Sequence, residues 1–412
     1  MTARSSASIL RDPKFGLLWF IQAATQVGGN MALYALTILI FASTRSNAAV
    51  SALVMSFLVP TILLSAVAGV LVDRLDVRWA LIVPNVLRTA LTLGLALAGV
   101  NVALLLLLNL GVSLTTVILT PAEASMIPRI VPSGQLQTAM GIFNLTLQAS
   151  FAVGFAFLGP LLVTIAGPSF VLAVVVALYG AATIATVGLP SAPPIARKRG
   201  ARRTFHEPID QLREGLGEIS GNREVSRPLV HLAASASLVG VIGVVGPSLA
   251  TTLGLDPENL IVVVLPLGLG VVAGVFALQR FGSAAPRRRA AEAGLITFSA
   301  LALAISAIAG LGSDAGLPVV PIVVVLAFVA GGAYATTTVS AQTAMFENMP
   351  AGARGRIFGV LASIVSAASL LPILVAGPVA DATSAPAVIA LAAAEVLGVA
   401  AWSALFFGPR ST

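Results

Sequence analysis

The chain has no cysteine among its 412 residues, which excludes disulfides and thiolate metal sites. It has two histidines, and His206-Glu207 runs straight into Pro208, which rules out a His-Glu-x-x-His metal helix. No paired aspartates or Ser–His pair suggest an intramembrane enzyme. Charged residues make up 9% of the chain, too few to cover a soluble protein of this size. No polar stretch is long enough for a soluble nucleotide-binding domain, and there is no phosphate-binding loop, which excludes an ATP-driven pump.

What is present is apolar: 58% of residues, with a mean hydropathy of +1.00. Crossing about 30 Å of hydrocarbon takes ~20 residues of helix. Twelve such runs occur, at 15–41, 49–72, 79–100, 102–124, 138–163, 168–189, 229–253, 259–280, 291–312, 317–342, 357–380 and 385–407. Helices are the only reading, because open sheet edges are unsatisfied in lipid and a membrane barrel would show short alternating segments. The fold class is therefore an all-α membrane protein of twelve transmembrane helices, embedded in a lipid bilayer. Span 1 is too long for a signal-peptide core and is read as retained.

Charge fixes the expected orientation. Apart from Arg45 and Arg88, each of the 23 cations falls before span 1, in an even-to-odd loop or at its edge, or after span 12. Loops around Asn101, Gly167, Asp256, Asp314 and Asp381 carry no Lys or Arg. Loops rich in Lys and Arg stay cytoplasmic, so both termini are expected there. The net charge of +7 is then a topology signal, with no nucleic-acid partner implied.

An internal duplication is visible. Val131-Pro132-Ser133-Gly134 and Met140-Gly141-Ile142 align with Met349-Pro350-Ala351-Gly352 and Phe358-Gly359-Val360 at an offset of 218, and Gly159-Pro160 aligns with Gly377-Pro378 in the same register. Two six-helix halves follow, 1–190 and 228–412, joined by a connector at 191–227 that is expected to be cytoplasmic. The connector carries the basic cluster Arg197, Lys198, Arg199, Arg202 and Arg203, then Ile209, Leu212, Leu216 and Ile219 at helical spacing. That pattern predicts an amphipathic helix on the membrane surface, with the cations fixing topology.

Polar residues aligned inside apolar helices are candidates for a substrate cavity, because such groups facing lipid unpaired are costly. Gln22, Gln26, Asn30 and Tyr34 in span 1 stack on one face by their spacing of four. Asn109, Ser113, Thr116 and Thr120 in span 4, Asn144 and Gln148 in span 5, and Tyr334, Thr338 and Gln342 in span 10 extend the set. The alternative is hydrogen bonding between tightly packed helices. Three intramembrane charges are coupling candidates. Arg88 lies roughly 13 Å into span 3, with Glu123 the nearest acid of its half and snorkelling to the surface as the alternative. Glu395 lies mid-way along span 12 with no assigned role, and His231 is expected at the interface.

The segment Gly69-Val70-Leu71-Val72-Asp73-Arg74-Leu75-Asp76-Val77-Arg78 resembles the signature loop of the major facilitator superfamily, although Asp76-Val77 and Trp79 stand where that pattern has a glycine and a basic residue. Met126 to Pro132, Arg213-Glu214-Gly215-Leu216, and Met349-Pro350 through Arg354-Gly355-Arg356-Ile357-Phe358-Gly359 resemble a bacterial exporter branch that includes enterobactin exporters, macrolide efflux proteins and lysophospholipid transporters. The resemblance implies two pseudo-symmetric six-helix bundles, a central pathway lined by spans 1, 4, 7 and 10, and no protein-bound cofactor. It implies a gate at Gly69, Asp73, Arg74 and Arg78, with Arg354 and Arg356 at the equivalent turn of the second half. Asp73 ends a helix where an acid can hold arginines or meet a helix N-terminus. The family's antiport motif in span 5 is represented by Gly159-Pro160, since Gly154 is one residue out of register and Val163-Thr164 replace glycines; the span 4 arginine motif of many drug–proton antiporters is missing.

The expected protein is a non-enzymatic, monomeric secondary transporter of the bacterial inner membrane. Proton-coupled efflux of an amphipathic small molecule, such as a drug, macrolide or siderophore, is the first expectation. A proton-independent lysolipid carrier is the alternative, and a non-transporting assembly protein is a further one. A channel fits less well, because duplicated halves suit alternating access.

Overall fold

A computed structural model describes residue 9, residues 11–191, 193, 222–281, 286–311, 318–348 and 354–406, except the side chains of Ala66, Gln148, Leu311, Phe346, residues 354–363 and residues 404–406. The amphipathic segment expected in the connector lies outside these residues. The described chain carries twelve helices long and apolar enough to cross a membrane, one for each apolar run.

Spans 1 to 4 are Pro13–Thr44, Asn47–Val72, Val77–Leu97 and Val102–Ile130. Span 5 is composite: a 3₁₀ turn Ser133–Gln135, a helix Leu136–Phe151, a π-helical turn Ala152–Leu158 and a helix Gly159–Ala166. Span 6 is Pro168–Val187. Spans 7 to 12 are Arg223–Thr252, Ile261–Phe281, Arg287–Leu311, Val319–Glu347, Arg354–Ala382 and Ala385–Phe406. Several helices outrun their apolar windows because backbone hydrogen bonding continues past the hydrocarbon edge, where polar side chains take over.

Helix ends follow local chemistry. Asp76 caps span 3 by accepting from the Arg78 amide, and Asn101 caps span 4 by accepting from the Leu104 amide. Gly167 joins spans 5 and 6 at φ 82°, a conformation that favours glycine, and Pro168 begins the next helix where its missing N–H costs nothing.

The described chain divides into two compact units, one of residues 1–39 and 56–207, the other of residues 40–55 and 208–412. In the first, span 3 packs on spans 4 and 6. In the second, span 9 packs on spans 10 and 12, the same pairs moved on by six spans. Spans 7 and 11 pack together in the second unit, and spans 1 and 5 do so in the first through Trp19, whose indole donates to Thr146 Oγ1 at 2.9 Å. The duplication read from the sequence thus recurs as a repeated pattern of helix neighbours.

Candidate functional site

The polar stripe of span 1 runs along span 5. The Gln22 amide, buried, donates to the Phe143 carbonyl at 3.2 Å. Tyr34 is fully buried, stands edge-on to Phe155 at 5.5 Å, and has no hydrogen-bond partner for its hydroxyl among the described residues. Gln26 and Asn30 are half-buried, and the Asn30 amide donates back to the Gln26 carbonyl at 2.9 Å. The two ends of the stripe are therefore packed against span 5, and its middle is the part that remains accessible.

The π turn accounts for the register of span 5. Pro160 has no N–H, and the amide of the preceding Gly159 reaches Gly154, five residues back, instead of four. A spacing of five in a π turn covers one helical turn, as a spacing of four does in an α-helix. Gly154, out of register in sequence, is thus stacked one turn from Gly159 in space. Both glycines meet span 1 too closely for a side chain: a Cβ on Gly154 would lie 2.6 Å from the Val27 carbonyl oxygen, and one on Gly159 would lie 3.1 Å from Tyr34 Cβ. The one-residue offset of Gly154 was legible in the sequence, but the π turn that absorbs it was not, because it depends on backbone hydrogen bonding and leaves no compositional mark.

Arg88 of span 3 is met by side chains of spans 4 and 6 in the first unit. The side chain is 3% exposed, so it does not snorkel to the surface. Its guanidinium lies 4.1 Å from the ring centroid of Tyr179 in span 6, and Nη1 donates to Thr116 Oγ1 in span 4 at 3.3 Å. Nε and Nη2 have no partner among the described residues. Tyr179 in turn lies against Gly28 and Gly29 of span 1. Glu123 is buried in span 4 of the same unit, and it does not form an ion pair with Arg88 within 4.0 Å. Tyr179 was missed in the sequence because one aromatic residue in an apolar span carries no signal of its own.

The remaining candidates separate by position. Asn109 donates to Ser56 Oγ at 2.8 Å and Ser113 to the Phe57 carbonyl at 2.9 Å, so both join span 4 to span 2. Asn144 is exposed, and the side chain of Gln148 lies outside the described residues. In span 10, Tyr334, Thr338 and Gln342 are half-buried; Tyr334 packs on Phe298 at 5.5 Å and Thr338 bonds back to the Tyr334 carbonyl at 3.0 Å. Glu395 faces outward from span 12 and is not drawn into the bundle. His231 is buried among the helices and shares a 2.8 Å hydrogen bond with Ser403, joining spans 7 and 12. Beside it, Arg227 and Glu292 form an ion pair at 2.6 Å between spans 7 and 9.

At the signature loop, span 2 ends at Val72, and the Asp73 and Arg74 amides close the last turn onto Gly69 and Leu71. Asp73 and Arg74 are exposed, and Gly69 has open space around the position of a Cβ. Arg78 is half-buried and donates to the Val187 carbonyl at the end of span 6. Asp76, which departs from the family pattern, both caps span 3 and accepts from Ser191 Oγ at 2.8 Å. The side chains of Arg354 and Arg356 lie outside the described residues.

The model of the Major Facilitator Superfamily matches residues 18–373. The multidrug efflux pump Tap of Mycobacterium bovis is 24% identical over 388 residues, covering 90% of this chain and 88% of the pump. The same values hold for Tap of Mycobacterium tuberculosis. Among solved structures, an auto-inhibited POT family peptide transporter matches with a TM-score of 0.72 at 13% identity, over 97% of both chains. The nucleoside transporter NupG matches with a TM-score of 0.69 at 14% identity, over 96% of this chain and 99% of that one. A bacterial homologue of the human lysosomal transporter Spinster, inward-facing and unoccupied, matches with a TM-score of 0.69 at 15% identity, over 99% of this chain and 97% of that one. With twelve membrane-spanning helices, a repeated pattern of helix neighbours and a family match across most of its length, this chain belongs to the Major Facilitator Superfamily and is a multi-pass membrane transporter.

Proposed function

We propose that this transporter exports an amphipathic small molecule from the cytoplasm, by proton-coupled alternating access between halves 1–190 and 228–412, in the cell membrane with both termini cytoplasmic. The efflux direction is supported by the likeness to Tap over nine-tenths of the chain. The observation that carries proton coupling is the π turn of span 5, which stacks Gly154 on Gly159-Pro160 and so supplies in space the spacing that the antiport motif requires. In this reading Glu123 carries the proton, with Arg88 the buried cation of the same unit. Within the first unit, the half-buried Gln26 and Asn30 supply hydrogen bonds to the substrate, and the absence of charge along that stripe suits a largely apolar molecule.

The test is export of dyes, macrolides and siderophores by cells expressing the intact protein or Glu123→Gln, each with and without an uncoupler. Extrusion that stops on uncoupling and fails in the variant supports the proposal. Extrusion indifferent to both would place the protein with proton-independent carriers and refute it.

A further inference from the structure

Spans 8, 9 and 10 of the second unit enclose a groove of about 620 Å³. Span 10 packs on both of the others, while spans 8 and 9 make no comparable contact with each other among the described residues, so span 10 is the floor and the other two are walls. Glycine brings the walls close to the floor. A Cβ on Gly270 of span 8 would collide with the Phe328 carbonyl oxygen, and one on Gly294 of span 9 would lie 2.7 Å from Thr337 Oγ1. The surface left between the walls is apolar and open: Phe281, Phe328 and Val329 are exposed, and the Thr336 hydroxyl is turned back onto the Gly332 carbonyl at 2.8 Å. Along span 8 the groove extends from Phe281 at the helix end to Gly270, a rise of ~16 Å, about half of the ~30 Å hydrocarbon layer.

Cations gather at the Phe281 end. The Arg280 guanidinium lies 5.9 Å from the Phe281 ring centroid, at the end of the span 8 wall. Arg289, Ala293 and Thr297 of span 9 are spaced by four, so Arg289 stands one turn beyond the groove on the face that lines it. Arg280 and Arg289 are exposed and have no carboxylate within 4.0 Å among the described residues. Their neighbours are engaged: Arg287 pairs with Glu347 at 2.9 Å, and Arg288 lies 3.7 Å from Glu224. Arg287, Arg288 and Arg289 also open span 9, where the helix amides already carry partial positive charge and the first turn has no acid. Cations that only set topology could sit anywhere in the loop. These stand where a helix least favours them, at the mouth of an apolar groove.

We propose that the groove binds one acyl chain of an anionic phospholipid, whose phosphate is held by Arg280 and Arg289. The groove is long enough for a chain to run from the headgroup level to the bilayer centre, and its walls are apolar along that length. Arginine at the mouth suits a phosphate, which accepts its paired N–H donors. A neutral lipid would leave both arginines without a counter-charge, and a soluble anion would leave the apolar walls uncovered. Basic pockets between membrane helices at the headgroup level are where anionic lipids bind. The site shares no residue with those assigned above to substrate or proton.

The absence of native cysteine permits labelling at one position. A bimane on Ile296→Cys, exposed beside the groove, reads quenching by brominated acyl chains in nanodiscs of the full chain. Brominated phosphatidylglycerol and brominated phosphatidylcholine with the same chains are each diluted into unbrominated phosphatidylcholine. An arginine beside an anionic headgroup is worth about fivefold, so a preference of about 25-fold for phosphatidylglycerol is expected. Arg280→Gln and Arg289→Gln, both at exposed positions, should each lower the preference about fivefold, and the double variant should abolish it. Ala277→Phe, which fills the groove, should abolish it with both arginines in place, and Ala293→Leu serves if that variant does not fold. A bimane on Leu391→Cys of span 12 should show no preference. No preference at Ile296→Cys, an unchanged one in the double arginine variant, or an equal one at Leu391→Cys would overturn the proposal. So would a preference that survives filling of the groove, because the cations would then attract headgroups with no chain seated between the helices.

Discussion

Replacing Arg88 with methionine separates a working charge from a structural one. The guanidinium is almost wholly buried, with one hydrogen bond at 3.3 Å, one aromatic face at 4.1 Å and two nitrogens unpartnered among the described residues. Burying such an ion costs several kcal/mol. Against that, the contact with Tyr179 returns ~2 kcal/mol and a charge-assisted hydrogen bond about 1.5–3 kcal/mol. The two sides nearly cancel, so the charge adds little net stability. Arg88→Met fills similar volume and is expected to change stability by less than ~1 kcal/mol or to raise it by about 1–4 kcal/mol. Coupled transport per folded molecule should fall at least about tenfold, a barrier or coupling change of ~1.4 kcal/mol. Tyr179→Leu does the reverse: it removes the ring, leaves the cation buried, and is expected to destabilise by ~2–4 kcal/mol. Thermal unfolding of the purified protein in detergent, paired with efflux from the same preparations in liposomes, measures both. A loss of more than about 3 kcal/mol in Arg88→Met with transport intact would refute the reasoning and make Arg88 a structural strut.

Other perturbations test other parts of the molecule. Gly154→Ala should destabilise by ~1–3 kcal/mol and impair transport, because its methyl group would press on the Val27 carbonyl and Asn30, and thermal unfolding with an efflux assay checks both. Asp76→Ala should cost ~1 kcal/mol of stability through the lost cap on span 3, measured by thermal unfolding, and Asp73→Asn should slow export in the efflux assay. Glu395→Gln should leave export unchanged in cells, because the residue faces away from the bundle.

The twelve spans were legible because lipid leaves no freedom: each crossing needs a long apolar run, and each run became a helix. The duplication was legible for a similar reason, since Gly-Pro pairs are hard to substitute where helices touch, and Gly159 and Gly377 are both close-contact points. The site was less so. A period of four put Gln22, Asn30 and Tyr34 on one face, yet which neighbour that face meets depends on packing, and span 5 covers much of it. Tyr179 and the π turn became visible only once Arg88 and Pro160 had neighbours. Asp381 accepts from the Asn47 amide at the start of span 2 but read as an ordinary loop acid, because a cap supplied from 334 residues away has no local signature. The burial of His231 against Ser403 was not legible either, because sequence depth gives distance from the membrane surface and says nothing of which way a side chain turns.

The most direct test of the account is substrate-linked proton movement in liposomes containing the purified protein and a trapped pH dye, with a transported macrolide or dye supplied on one side. The account predicts proton flux opposite to substrate flux in the wild type, and substrate movement without proton movement, or neither, in Glu123→Gln. Proton flux undiminished in Glu123→Gln, or substrate transport in the wild type with no proton flux, would contradict it.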